Sequence, residues 1–87
     1  MSEAKSSRPG AFEFVGEWLD IVMSLPESGM GYTVARVTLR DGRVFEQVLI
    51  DSGILARIRK LQDVPFVERD IASMVATHDK WDWKEVP

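Results

Sequence analysis

At 87 residues with a hydrophobic fraction of 45%, the chain is long enough for one domain with one small core and too short for a second domain or a deep pocket. It has no cysteine, which excludes disulfide staples, thiolate zinc sites and cysteine nucleophiles and fits a reducing, cytoplasmic setting. The net charge of −3 argues against nucleic acid as the general partner.

Residues 1–10 (MSEAKSSRPG) offer nothing to bury and are expected to form a disordered arm, leaving residues 11–87 as a single β-rich domain. The apolar run that follows is broken by Glu13, Glu17 and Asp20, so neither a signal-peptide core nor a membrane span can be drawn there. Ala11 to Leu25 fits two patterns. Phe14, Val15, Trp18, Leu19, Val22 and Leu25 recur at helical spacing, and Glu13 and Glu17 suit the positive end of a helix dipole. Trp18, Asp20 and Val22, like Ile21, Met23 and Leu25, also alternate as in a strand, and Gly16 weakens a helix. The spacing favours the helix, ended by Pro26 and followed by a loop from Pro26 to Gly31.

Tyr32 to Leu39 reads as a strand with Ala35, Val37 and Leu39 on one face and Arg36 and Thr38 on the other. Tyr32 and Val34 break strict alternation, which predicts a bulge near Val34 or cover from the N-terminal segment. Asp41-Gly42 suits a tight reversal that needs positive φ. Val44 to Ile50 then returns, with Val44, Val48 and Ile50 on one face and Phe45 and Leu49 on the other. After a turn at Asp51-Ser52-Gly53, Ile54 to Leu61 reads as a strand with Ile54, Ala56 and Ile58 inward and Leu55, Arg57 and Arg59 outward. Phe66 to Ile71 predicts a single helical turn with both ends buried, and Ala72 to Thr77 a last short strand. The closing HDKWDWKEVP alternates Trp81 and Trp83 with Lys80, Asp82 and Lys84, as an extended strand or ordered tail.

The fold class is therefore mainly β: a small barrel or curled antiparallel sheet of about five short strands, with an N-terminal helix and one helical turn before the last strand. The order of strand, Asp-Gly turn, strand, strand, helical turn, strand resembles the small Sm-like barrels, and Val37-x-Leu39-x-Asp41-Gly42 is similar to the opening of the Sm signature. Where that signature has glycine five residues after the turn glycine, this chain has Gln47. Ile58-Arg59 is similar to the signature's Ile-Arg-Gly, with Lys60 in place of the glycine. The resemblance implies a module that binds RNA or single-stranded nucleic acid. The run Gly29-Met30-Gly31-Tyr32 through Thr77-His78-Asp79-Lys80-Trp81 also resembles small uncharacterised bacterial proteins, which implies a compact bacterial domain.

No catalytic constellation can be assembled. His78 is the only histidine, and with Asp79 and Asp82 it supplies too few strong ligands for a metal. Ser24, Ser28, Ser52 and Ser73 lack a nucleophile elbow, and Gly29-Met30-Gly31 lacks the Lys-Ser/Thr of a phosphate loop. No metal, cofactor or catalytic residue is assigned, and the chain is expected not to be an enzyme.

Two binding surfaces suggest themselves. Trp81 and Trp83 share one face of the tail and, with Tyr32, form a candidate interface with a partner or a second copy; the other role for the tryptophans is to cap the open end of the barrel. Arg36, Arg40, Arg57 and Arg59, with Lys60, form a candidate basic sheet face in a middle region rich in bases between two acidic ends. The expectation is a cytoplasmic, non-enzymatic interaction or oligomerisation module that self-associates or binds another protein. The alternative is an Sm-like nucleic-acid-binding module that uses the basic face.

Overall fold

A computed structural model describes residues 8–29 and 31–81. Its elements are β1 (Phe12–Glu13), α1 (Gly16–Ser24), β2 (Tyr32–Leu39), β3 (Val44–Asp51), β4 (Ile54–Ile58), a 3-10 turn (Glu68–Asp70) and β5 (Ile71–Ala76). The five strands pair antiparallel in the order β1-β4-β3-β2-β5 and curl into a half-barrel. The mainly β class, the N-terminal helix and the helical turn before the last strand are all present. No helix among the described residues is long and apolar enough to cross a membrane.

Of the two patterns read in residues 11–25 the helical one holds, since Trp18 to Met23, which also alternate as a strand would, are helical. Phe12–Glu13 is extended and pairs with Leu55 and Ile54, and the helix follows from Gly16. Gly16 has a φ of 59 and starts the helix, so it does not interrupt it. The helix turns Val22 into the core and leaves Val15, Ile21 and Met23 exposed. Its N-terminus is satisfied from far away in sequence, since Val15 N–H donates to Glu68 Oε1 at 2.8 Å. Arg8 and Pro9, assigned to the arm from sequence, are tied to the sheet. Arg8 N–H donates to Ala56 O and Pro9 O accepts from Val64 N–H, each at 2.9 Å.

The β2–β3 hairpin closes as its turn residues dictate. Gly42 N–H donates to Leu39 O at 3.0 Å, and Gly42 takes a φ of 95, where a Cβ would be strained. The Asp41 carboxylate accepts from Arg43 N–H at 3.1 Å and from Arg43 Nε at 2.9 Å. The Arg43 backbone N–H, followed by its guanidinium, holds the Asp41 carboxyl below the usual carboxylate range.

Two bulges revise the face assignments. The β2–β3 register steps between Ala35 and Val37, and Gln47 is the extra residue on β3, with a φ of 54. Side chains beyond it are displaced by one position. Phe45 therefore packs with Val48 and Ile50, Leu49 packs on the opposite face, and Val44 is exposed. The β3–β4 register steps between Leu49 and Ile50, with Ala56 as the extra residue. Leu55 is consequently fully buried on the main face, where outward exposure was expected, and Ile54 and Ala56 sit on the reverse face.

The main core gathers Phe14 and Val22 from the N-terminal segment, the inward residues of β2, β3 and β4, and Val64, Phe66 and Ile71. Phe66 stands between Phe45 and Phe12, with ring centroids 5.1 and 6.3 Å away. A smaller core on the reverse face joins Val34, Leu49, Ala56 and Trp81, flanked by Tyr32 and Ile54. Tyr32 and Val34 thus break alternation because a second face is covered. The C-terminal Trp81 covers it, in place of the expected N-terminal segment.

Candidate functional site: the β5 edge and the reverse sheet face

The two ends of the sheet are treated differently. At the β4 end the chain lines its own edge: Arg8 N–H donates to Ala56 O, β1 pairs with Leu55 and Ile54, and Phe14 N–H donates to Gly53 O at 2.9 Å. At the other end, no strand among the described residues pairs with the outer edge of β5. Natural edge strands are commonly guarded by a charge, a proline or a covering segment. β5 reads Ile-Ala-Ser-Met-Val-Ala, with neither charge nor proline. Thr77 N–H donates to Val34 O at 3.0 Å and Arg40 N–H to Asp70 O at 2.8 Å, so the register places the backbone groups of Ser73, Val75 and Thr77 toward β2. Those of Met74 and Ala76 point away from it. The Val75 side chain is 54% exposed on the reverse face.

The reverse face carries the aromatic residues singled out from sequence. Trp81 is 5% exposed, and its backbone N–H donates to the Tyr32 hydroxyl at 3.1 Å. The Arg57 guanidinium, on a residue 7% exposed, lies 5.6 Å over the Trp81 ring. The loop before β2 prepares this arrangement. Ser28 Oγ accepts from Val34 N–H at 2.9 Å, and Thr33 Oγ1 donates to Pro26 O at 3.3 Å. Gly29 lies so close under the Tyr32 ring that a Cβ there would overlap it. Tyr32 and Trp81 are therefore brought together, with the Trp81 ring turned against its own sheet and not outward. Trp83 lies outside the described residues.

Three of the four arginines share the reverse face, one stands apart, and each has a partner. Arg36 Nε donates to both carboxylate oxygens of Glu46 at 3.0 Å, an exposed pair worth ~0.2–1 kcal/mol. Arg59 Nη1 donates to Gln47 Oε1 at 3.1 Å. Arg40 Nε donates to Arg69 O at 2.9 Å, beside the 3-10 turn. Arg36, Arg57 and Arg59 follow Val34 and Leu49 on the reverse face, and Arg40 stands apart from them. Of Glu46 and Gln47, which hold two of these arginines, the sequence marked only Gln47, and that as the residue in place of the signature's glycine. They oppose Arg36 only because the bulge places two residues against one.

His78 is exposed just beyond β5, with a φ of 66. Next to it, Thr77 Oγ1 donates to Asp79 Oδ2 at 3.0 Å. Among the described residues no three His, Asp or Glu side chains converge. A cleft of about 250 Å³ between the end of α1 and the sheet is lined by Val22, Leu25, Tyr32, Thr33 and Ile50, with Glu27 its single charged residue. Its polar side chains are those of Glu27, Tyr32, Thr33 and Ser52.

The chain matches no protein-family model, and no curated protein or solved structure is significantly similar to it.

Proposed function

We propose that this chain is a non-enzymatic self-association module of a bacterial cytoplasm, which joins a second copy through the outer edge of β5. The observation that carries this reading is the contrast between the two sheet ends. The β4 edge is lined by the chain's own residues 8–14, while β5 offers outward backbone groups and an uncharged sequence. An unguarded edge of this kind is a template for another strand, and backbone pairing supplies affinity without a pocket. Sedimentation equilibrium tests the proposal. The full chain is expected to sediment above its monomer mass of 9.9 kDa, and Val75→Lys, which sets a charge on the exposed edge, to return it to monomer. A wild-type chain that stays monomeric at its highest soluble concentration would count decisively against it.

A second reading, the Sm-like nucleic-acid module, is favoured by one backbone observation. Gln47 and Lys60 stand where the Sm signature has glycine, and their φ angles of 54 and 68 are those that glycine accommodates most easily. In this reading Arg36, Arg57 and Arg59 bind phosphates. It ranks second because the Trp81 ring has no open face for a base, and Arg36 is engaged by Glu46. Salt-sensitive binding of an oligonucleotide that weakens in Arg59→Ala would support it, and no binding at low salt would end it.

A further inference from the structure

We infer that the self-association is a two-fold, antiparallel pairing of β5 with β5 of a second copy, centred on Val75, that stops at a dimer. This rests on the self-association reading and adds its symmetry and register.

The symmetry follows from the edges. A head-to-tail contact would join β5 of one copy to β1, the opposite edge, of the next. But β1 offers only Phe12–Glu13, too short to pair with six-residue β5 and charged at Glu13. The surface left for β5 is another β5. A patch that meets its own copy does so about a two-fold axis, and such a contact is satisfied by two chains.

The register follows from which backbone groups point outward. In an antiparallel ladder, hydrogen-bonded pairs join residues whose N–H and C=O groups both face the neighbouring strand. On β5 these are Met74 and Ala76. Two-fold pairing can set Met74 against the partner's Met74, Met74 against the partner's Ala76, or Ala76 against the partner's Ala76, the last centred on the final residue of β5 and leaving most of the strand unpaired. The second arrangement puts Val75 opposite the partner's Val75 in a non-hydrogen-bonded position, where side chains approach most closely. It covers Val75, the large apolar side chain that β5 leaves exposed, at 54%. It also sets Ser73 opposite the partner's Thr77, a pairing of hydroxyls. The first arrangement leaves Val75 against the partner's Ser73 and opposes two methionines already half-buried in their own cores. The charges beside that face include the Arg36–Glu46 ion pair, one strand in from the edge and neutral as a unit, and the Asp79 carboxylate, which accepts from Thr77 Oγ1 at 3.0 Å.

The absence of cysteine makes the test clean, because any introduced thiol is the only one in the chain. Cα atoms of a non-hydrogen-bonded pair lie ~4.5 Å apart, within the range that a disulfide spans. Full-length Val75→Cys and Ser73→Cys, both exposed positions on β5, are oxidised in parallel and run on non-reducing gels beside sedimentation of the wild type. Val75→Cys is expected to become a covalent dimer at least about tenfold faster than Ser73→Cys, whose counterpart is the partner's Thr77. A wild-type dimer in which Val75→Cys fails to cross-link, or Ser73→Cys cross-links as fast, overturns the register and leaves self-association standing. Assemblies larger than a dimer overturn the two-fold closure. A monomeric wild type removes the underlying reading as well.

Discussion

The Trp81 backbone N–H donates to the Tyr32 hydroxyl at 3.1 Å, a bond between residues 49 apart in sequence that fastens the end of the described chain to the start of β2. Around it, Trp81, Val34, Leu49 and Ala56 bury the reverse face of the sheet. Trp81→Ala removes the largest side chain of that cluster and is expected to cost ~3–5 kcal/mol, the usual range for emptying a buried aromatic site. Tyr32→Phe keeps the ring and loses the hydroxyl, and is expected to cost ~0.5–1.5 kcal/mol. Urea denaturation of the two variants reads both. Equal losses would show that the bond holds the tail as strongly as the ring does, against the ranking expected.

Glu68 is expected to stabilise a helix to which it does not belong. Its carboxylate accepts from Val15 N–H at 2.8 Å at the start of α1, and supplies negative charge where the helix dipole favours it. Glu68→Ala is expected to cost ~1 kcal/mol, in the range of a lost helix cap, and Glu68→Gln less. Chemical denaturation gives the magnitude. Protection of the first α1 amides from hydrogen exchange locates it, and unchanged protection there would disprove the link.

Asp41 gives the β2–β3 turn an acid sensitivity. Its carboxyl is held below the usual range by the Arg43 N–H, and then by the Arg43 guanidinium. Because the folded-state pKa is lowered, the ionised form contributes stability that is fully present above the unfolded value of ~3.9. That contribution fades as pH falls through the folded-state value. Asp41→Asn is expected to flatten stability against pH in this acid window and to change little near neutrality. A variant whose pH profile overlays that of the wild type would refute the coupling.

Lys60 and Gln47 occupy left-handed backbone, with φ of 68 and 54. Replacing a residue with a Cβ by glycine at such a position relieves strain of ~1 kcal/mol. Lys60→Gly is expected to raise the denaturation midpoint. Gln47→Gly sets the same relief against the loss of the Oε1 acceptor of Arg59 Nη1. Urea denaturation gives both midpoints, and a loss of stability in Lys60→Gly would contradict the strain argument.

The hairpin was the most legible part of the chain because Asp41-Gly42 has a local reason to turn, and the segments around it carry β-branched residues on both sides. Phe66 and Ile71 were legible as buried ends of a short helical turn, and both are buried. The faces of Phe45 and Leu55 were not. A bulge adds one residue, and one residue reverses every side chain after it, without a sequence signal comparable to the Asp-Gly turn. The candidate site was legible only as a set of residue types. Tyr32 and Trp81 do meet, but the burial of Trp81 depends on Arg57 and Leu49, which sequence reasoning had no means of placing beneath it. That no described strand pairs with the outer edge of β5 follows from the strand order, a property of the whole sheet that no local pattern in Ile71–Ala76 encodes.

The two cores share strands but not buried side chains, and this sets an order of melting. The reverse-face cluster hangs on Trp81 and the contacts that fasten it, whereas the main core is built from every strand and the helix. Loss of the Trp81 contacts uncovers Leu49 and Val34 without disturbing Phe66 or Ile71. Sub-global openings of this kind need less free energy than global unfolding. The tail side of the sheet is thus a separate, weaker cooperative unit, and heating should release it while the half-barrel stays folded.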